Sequence, residues 1–566
     1  MYVLSFKPCT HGFGSHDPSA ALFNDGELVF AVEEERYTRE KHAGTFPTNA
    51  INACLDAEDL SLSDVDRIVL PYIPRHRNKI WKSKWKRAVA EPDSVMDKLG
   101  SLNWRLKDTI QSQFFAERAV REKLSEIGTP LPKIEQKSHH ECHAASAFYP
   151  TDYDEALVLT VDGSGEYDTT VVWKGDETGL TRHKTFENPN SLGHLYGAVT
   201  DFLGFRPLNG EGKVMGLAPY GGPNEEIESA LRSVIDTTAE YDVTEITGER
   251  DMGVGRLERL FGRSAKATPT EFTDWEKDLA YVTQSLLEEI VTNVLRRYVH
   301  ELDIRTVCLA GGVALNCKLN QVVEQAPFVD ELFIQPVAND AGLALGGGFL
   351  TTTPSEVTPM SHTYWGPEYD DDAIEAVLSE TKIDYRKSDD VAAETAAKLA
   401  DGQLVGWFQG RLEMGPRALG NRSILADPRS IDSRDRVNKY VKHREEWRPF
   451  APSLKEEALD DYLVDATPSP YMIKTYDVRE DKQSEIPAVL HSGDNTTRPQ
   501  TVTDEQNPRY YALLSEFEER TGVPVVLNTS FNDHAEPIVN RPVEAIKDFY
   551  GMGLDVLVLG DYILEK

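Results

Sequence analysis

One structural unit occurs twice in this sequence, and that duplication restricts the fold more than any other feature. Near the N-terminus a short apolar strand leads into a polar, Gly-containing turn from Thr10 to Pro18. It is followed by SAALFNDGELVFAVEEER, where Asn24, Asp25 and Gly26 separate two apolar runs as a hairpin turn does. At 156–186 the order recurs: an apolar strand, the loop VDGSGE, TTVVWK, a GDETG turn and LTRHKTF. Helical stretches follow each unit, so the expected class is α/β with two related halves.

Between the two units lies SHHECHAASAFY, Ser138 to Tyr149, which is expected to be helical. That places His139 and His143 one turn apart on one face, able to close on a single metal ion. With 14 histidines in 566 residues, chance supplies about a third of one such pair. The pair therefore counts only through its company. ALVLTVDGSGEYD carries an apolar strand that ends on Asp162, and ELFIQPVANDAGLALGGG carries another that leads to Asp340 at the start of a small-residue helix. Strand ends that deliver an Asp into a crevice are where α/β folds place ligand and metal groups. Two His with two Asp suit iron, zinc or manganese better than calcium. His140 is read as a solvent-facing or hydrogen-bonding neighbour and Cys142 as a small buried packer.

The formal charge of −34, from 94 acids against 60 Lys and Arg, argues against general nucleic-acid binding, which needs a basic footprint. An acidic surface of this size suits a salt-rich cytoplasm, where screening relieves self-repulsion. Five cysteines without a CxxC spacing indicate neither a zinc ribbon nor a disulfide framework. MYVLSFKPCTHGFG is not a signal peptide, and no run reaches the ~18 apolar residues of a membrane span. A cytoplasmic protein is expected. One stretch departs from the acidic background: PRHRNKIWKSKWKR, 74–87, reads as a solvated amphipathic helix whose Trp81 and Trp85 pack inward. The following 92–127 reads as helices.

Further along, GEGKVMG forms a Gly-punctuated loop with Glu211 and Lys213 but lacks the Walker spacing; its Lys can still meet a phosphate or carboxylate. In RTVCLAGGVALNCKLN a strand, Gly311-Gly312 and a helix follow one another, a geometry that serves a nucleotide's phosphate or ribose, or merely tight packing. Residues 351–372 carry Thr, Pro and acids without apolar periodicity and read as a linker. Beyond it a second domain begins. There GRLEMGPRALGNRS crowds Arg411, Glu413, Arg417 and Arg422 into one loop, and Lys442, Arg444, Arg448 and Arg498 follow. A strand then ends in Asn528, Thr529, Ser530 and Asn532. Converging Arg, Lys, hydroxyl and amide groups describe a pocket for a small, highly charged oxyanion such as a phosphate.

Taken together, HDPSAAL with EEERYTREKH, HHECHAASAFYP, VDGSGE, EGKVMGLAPYG, AGGVALN, NDAGLALG, GRLEMGPRALGNRSILADPR, REEWRPFAPS, TRPQTV and LNTSFN resemble the carbamoyltransferases of the nodulation and antibiotic-tailoring type, the NodU/CmcH family. The motifs span nearly the whole chain. The resemblance implies an N-terminal actin-like domain, 1–352, related to the tRNA threonylcarbamoyl transferase, a linker at 353–372, and a C-terminal YrdC-like domain, 373–566. It implies a metal, iron(II), on His139, His143, Asp162 and Asp340, and His16 beside the acceptor. Arg417, Lys442, Arg448, Arg498, Ser530 and Asn532 would bind carbamoyl phosphate and the triphosphate of ATP, with magnesium, and adenosine would rest against Gly311, Gly312 and Asn316.

The implied activity has two steps, formation of carbamoyladenylate and transfer of its carbamoyl group to a hydroxyl of a small metabolite. No nucleic acid or membrane partner is implied, and a homodimer is compatible with it. Two rivals are a nucleotide-binding regulator without catalysis and threonylcarbamoyl transfer to tRNA, the second disfavoured by the net charge.

Overall fold

The computed structural model describes residues 1–10, 13–14, 16–74, 115–247, 253–445 and 447–566. The basic segment, Pro74 excepted, and its two Trp residues lie outside these, as do 92–114 of the stretch read as helices; the remainder of that stretch includes the helix Ala116–Ile127.

Both copies of the duplicated unit form sheets, and the sheets share one topology. In the first, β1 (Tyr2–Lys7) pairs antiparallel with β2 (Ser19–Asn24), which pairs with β3 (Glu27–Glu33); β4 (Arg67–Leu70) and β5 (Lys133–Gln136) extend the other side in parallel, giving the order β3-β2-β1-β4-β5. In the second, β6 (Glu155–Val161), β7 (Asp168–Asp176) and β8 (Gly179–Glu187) make the hairpins, and β9 (Thr306–Ala310) and β10 (Glu331–Ile334) add in parallel, giving β10-β9-β6-β7-β8. The Asp25-Gly26 turn has both residues in the left-handed region, at φ 50° and 90°, which matches the twist of the strands it joins.

Each half lends its last helix to the other. His139–Phe148 follows β5 yet packs on the second sheet, and Leu343–Phe349 follows β10 yet packs on the first. The two helices cross where the sequence reads Gly346, Gly347, Gly348. A Cβ there would lie 1.8 Å from the Cys142 carbonyl oxygen, 2.5 Å from Ser5 Oγ and 1.9 Å from the Phe23 ring. Only glycine permits that approach. The outer face of the second half is covered by Asp274–Leu302, whose buried Leu279, Val282, Leu286, Ile290, Val294 and Val299 follow helical spacing.

The rest of the chain builds an eight-stranded mixed sheet, with the strands Val405–Phe408, Arg422–Ala426 and Val525–Ser530 at its centre. Trp407 is fully buried there and donates its indole N–H to the Gly420 carbonyl at 2.9 Å. The segment read as a linker is anchored around Thr363 and Trp365. Trp365 is buried, its carbonyl accepts from Ala31 N–H at 3.1 Å and from Arg411 at 2.7 Å, and the Thr363 carbonyl accepts from Met414 N–H at 2.8 Å. Among the described residues no helix is long and apolar enough to cross a membrane.

Candidate active site

The helix exchange brings the N-terminus of His139–Phe148, the end of β6 and the start of the Asp340 turn to one point. His139 Nε2 lies 3.0 Å from Asp162 Oδ2 and 3.6 Å from Asp340 Oδ1; His143 Nε2 lies 3.6 Å and 3.8 Å from the same two oxygens. One ligand atom from each residue falls within 4.8 Å of the others. Glu166, from the VDGSGE loop, accepts the His139 N–H at 3.1 Å and holds the helix start in place.

The group fits a metal ion on its own chemistry. His143 is fully buried with neither ring nitrogen hydrogen-bonded, and His139 Nδ1 is likewise without a partner. Buried orphans of this kind cost stability unless something satisfies them. Burial opposes charge on His143, but the nearby Asp162 and Asp340 carboxylates prevail and raise its pKa to about 9. Both aspartates are held well below the usual carboxylate range despite burial, by the two histidines and, for Asp340, first by Lys7, whose ammonium sits 2.7 Å away. His140 is a structural residue: fully buried, it bonds the Thr160 hydroxyl at 2.9 Å and the Asp168 carbonyl at 3.0 Å. Cys142 is fully buried, as a packer should be.

Gly312 N–H donates to Asp162 Oδ1 at 3.2 Å, and a Cβ on Gly311, at φ 91°, would lie 2.3 Å from the Val161 carbonyl oxygen. These glycines serve close packing behind the metal ligands. Asn316 caps the helix Cys317–Glu324 and exchanges hydrogen bonds with Gln284 at 2.9 and 3.0 Å, so its amide is committed to the protein. The next residues, Cys317 and Lys318, already line a second feature.

That feature is a cavity of about 320 Å³ between the first 350 residues and the C-terminal sheet. Lys41, Lys213 and Lys318 reach it from one side and Arg417, Arg444, Arg448 and Arg498 from the other, joined by Ser530, Thr529 and Asn528 from the end of a central strand. Among the described residues no carboxylate lines it. Lys213 pairs with Glu445 at 2.9 Å and Arg448 lies 3.5 Å from Glu445, while Lys318 pairs with Asp494. Arg417 and Arg498 have no ion-pair partner among the described residues, and Arg417 Nε has no hydrogen bond. Burial and then Arg498 push Arg417 down to about 9, and burial with Arg448 lowers Arg498. Arginine does not surrender its proton in a protein. The pressure is stored as like-charge repulsion, which an anion would relieve.

Lys442 lies beside this cavity rather than on its wall. Its Nζ is held by the Ser530 carbonyl and by Asn532 Oδ1 at 2.8 Å, and its pKa is well below the usual lysine range through burial and then Arg444, Lys41 and Arg448. Asn532 serves that lysine, whereas Ser530 also faces the cavity. Lys213 stands on a helix, Glu211–Leu217, where a loop was expected. The crowded Arg411–Arg422 loop divides by role. Arg411 donates to the carbonyls of Val29 and Trp365; Arg422, fully buried, donates to those of Gln409 and Gly410 and lies 3.6 Å over Phe408. Glu413 accepts the N–H groups of Leu419, Asn421 and Arg422 at 2.7–3.1 Å. Those three build the loop, and Arg417 alone of the four meets the cavity. The sequence reading passed over Lys41 and Lys318, which no periodicity or motif spacing singles out.

His16, on the loop between β1 and β2, bonds Asp17 through Nδ1 at 3.2 Å. Burial and the Lys7 charge oppose its protonation, but the Asp17 hydrogen bond and Asp340 outweigh them and its pKa is raised.

Residues 10–349 match the family model described as carbamoyltransferase N-terminus, and 396–566 that described as carbamoyltransferase C-terminus. The chain is 36% identical to nodulation protein NolNO of Sinorhizobium fredii, over 97% of this chain and 79% of that protein. It is 39% identical to nodulation protein NolO of Bradyrhizobium diazoefficiens, over 76% and 79%. To the 3'-hydroxymethylcephem-O-carbamoyltransferase of Streptomyces clavuligerus it is 28% identical, over 99% and 98%. With both family domains matched in order across a chain that holds a metal-ligand cluster and an anion-shaped cavity, the protein belongs to the carbamoyltransferase family and is an enzyme that transfers a carbamoyl group.

Proposed function

We propose that the chain is an ATP-dependent O-carbamoyltransferase in which an actin-like half, 1–352, transfers and a YrdC-like half, 373–566, activates. The observation that carries the reading is the cavity: four arginines and three lysines around about 320 Å³, with no carboxylate on its wall among the described residues, is a charge distribution suited to a triphosphate together with a second phosphorylated substrate. Water cleaves carbamoyl phosphate to carbamate and inorganic phosphate; a carbamate oxygen then attacks the α-phosphorus of ATP, forming carbamoyladenylate as the α–β bridging bond breaks and pyrophosphate leaves. Arg417, Arg498 and Arg448 stabilise the charge on the phosphoryl oxygens. Lys442, held by Ser530 and Asn532 at the cavity edge, adds positive field and keeps the strand end in register. Magnesium would accompany the ATP.

Transfer takes place at the metal cluster. His139, His143, Asp162 and Asp340 would hold a divalent ion, iron(II) by family resemblance, which when bound polarises a carbamoyl oxygen as a Lewis acid. His16, oriented by Asp17, accepts the proton of the acceptor hydroxyl, and AMP departs. The stretch 311–318, in contact with Asp162 at one end and with the cavity at the other, forms the floor between the two places. The acceptor is a hydroxylated small molecule; a net charge of −34 disfavours tRNA.

Pyrophosphate release from ATP by the purified protein, with and without carbamoyl phosphate and with no acceptor, tests the first step. Release that depends on carbamoyl phosphate is expected. Release at the same rate without it would refute the activation chemistry.

A further inference from the structure

The Asp17 carboxylate stands between two imidazoles. Its Oδ2 is 3.2 Å from His16 Nδ1 and its Oδ1 is 2.8 Å from His42 Nδ1. An ionised carboxylate only accepts, so both rings carry the proton on Nδ1, and His16 keeps Nε2 free for its role as base. Asn339 Nδ2, 3.4 Å from Oδ2, is the other group on this carboxylate. His42 thus fixes the oxygen that His16 does not use.

His42 ends a short stretch that reaches three places. Arg39 donates to the carbonyls of Ile538 and Pro537, both at 2.7 Å, and so grips the C-terminal half. Lys41 lines the cationic cavity from an exposed position at its edge, with Arg417 and Arg448 on the same wall. His42 touches Asp17 and anchors its own N–H on Glu35 at 2.8 Å. Arg39 and His42 both hold the left-handed conformation, at φ 60° and 55°, which non-glycine residues keep only where their surroundings enforce it. A stretch pinned in this way at both ends transmits a displacement of its middle instead of absorbing it.

We propose that residues 39–42 tie occupancy of the cationic cavity to the placement of the transfer base, Lys41 engaging the bound polyanion and His42 acting as the positioning residue for the Asp17–His16 pair. The inference rests on the cavity reading above and deepens it, because it gives the enzyme a reason to deprotonate an acceptor only once the activating site is filled.

The test uses full-length protein labelled with 15N-histidine and inorganic pyrophosphate as the probe, with binding measured by calorimetry. In the wild type, His16 should give the ring pattern of the Nδ1–H tautomer. His42→Ala should lose that pattern, while His42→Asn, which supplies an amide N–H where Nδ1–H was, should restore it. Bound pyrophosphate should shift the His42 and His16 ring signals in the wild type. In Lys41→Met it should bind about tenfold more weakly, the loss of one charge-assisted contact, and leave both rings unmoved at saturation. Rings that stay fixed in pyrophosphate-bound wild type, or that move equally in Lys41→Met, would overturn the tie. An unchanged His16 pattern in His42→Ala would overturn the positioning role. Absence of pyrophosphate binding in the calorimeter would remove the cavity reading itself, and the proposal with it.

Discussion

The metal-ligand cluster and the cationic cavity treat charge in opposite ways. In the cluster two carboxylates, two imidazoles and Lys7 are interleaved within a few ångströms, so each charge has a counter-charge and what remains unsatisfied is a set of nitrogen lone pairs. In the cavity seven cations face one space, and among the described residues the carboxylates paired with them are Glu445, on Lys213 and Arg448, and Asp494, on Lys318. The first arrangement would suit a single cation by geometry. The second is a field that would favour an extended anion, whose binding would relieve the like-charge repulsion.

That contrast can be broken from either side. The largest effect is expected at Arg417→Met, which should slow pyrophosphate release by about 10³-fold, the scale of a lost transition-state contact, while leaving metal content intact. The same variant should melt slightly higher than wild type, since it relieves uncompensated like charge. A lower melting temperature with normal activation would show that Arg417 is structural. From the other side, His143→Ala should lose most of its bound metal, read by elemental analysis, and with it transfer to any acceptor, yet retain pyrophosphate release; a variant that keeps its metal would dissolve the cluster.

Glu413→Gln sharpens the comparison by addressing scaffold instead of site. Its carboxylate gathers three backbone N–H groups, so loss of the charge should cost about 2–3 kcal/mol in denaturant unfolding, with only a secondary fall in activity.

The smallest effect concerns Asp548, a buried carboxyl that burial and then Glu536 raise from 3.8 to about 6. Its folded pKa lies above its unfolded one, so the native state binds the proton more tightly. Stability therefore declines as pH rises from about 4 to about 6 and stays lower above that, by about 1–3 kcal/mol. Asp548→Asn should flatten that slope and raise the melting temperature at pH 7.5; an unaltered slope would assign it to another group.

Local reading of the chain went furthest where backbone and function share a periodicity. The Asp25-Gly26 hairpin, the repeat at 156–186 and the His139/His143 helix face all depend on residues close in sequence. Resolution was poorer in the Arg411–Arg422 loop, because four charged side chains among glycines look alike until their partners are known. Those partners lie as far off as Val29, and only Arg417 is left for a ligand. Asn316, which the family resemblance sets beside adenosine, exchanges hydrogen bonds with Gln284, 32 residues away, a contact that no local pattern shows.

By itself the sequence determined the α/β class and the duplicated strand–hairpin unit and pointed to the four residues that gather as a candidate metal group, since alternation, turn chemistry and helical spacing act within a few residues and leave their mark there. The family motifs, spread from HDPSAAL to LNTSFN, carried the activity. Tertiary structure alone decided that each half gives its last helix to the other, that the segment 353–372 is anchored at Thr363 and Trp365, and that Lys41 and Lys318 join the C-terminal arginines around one cavity. Such convergences join residues hundreds of positions apart, and field and packing depend on distance in space, which no local pattern encodes.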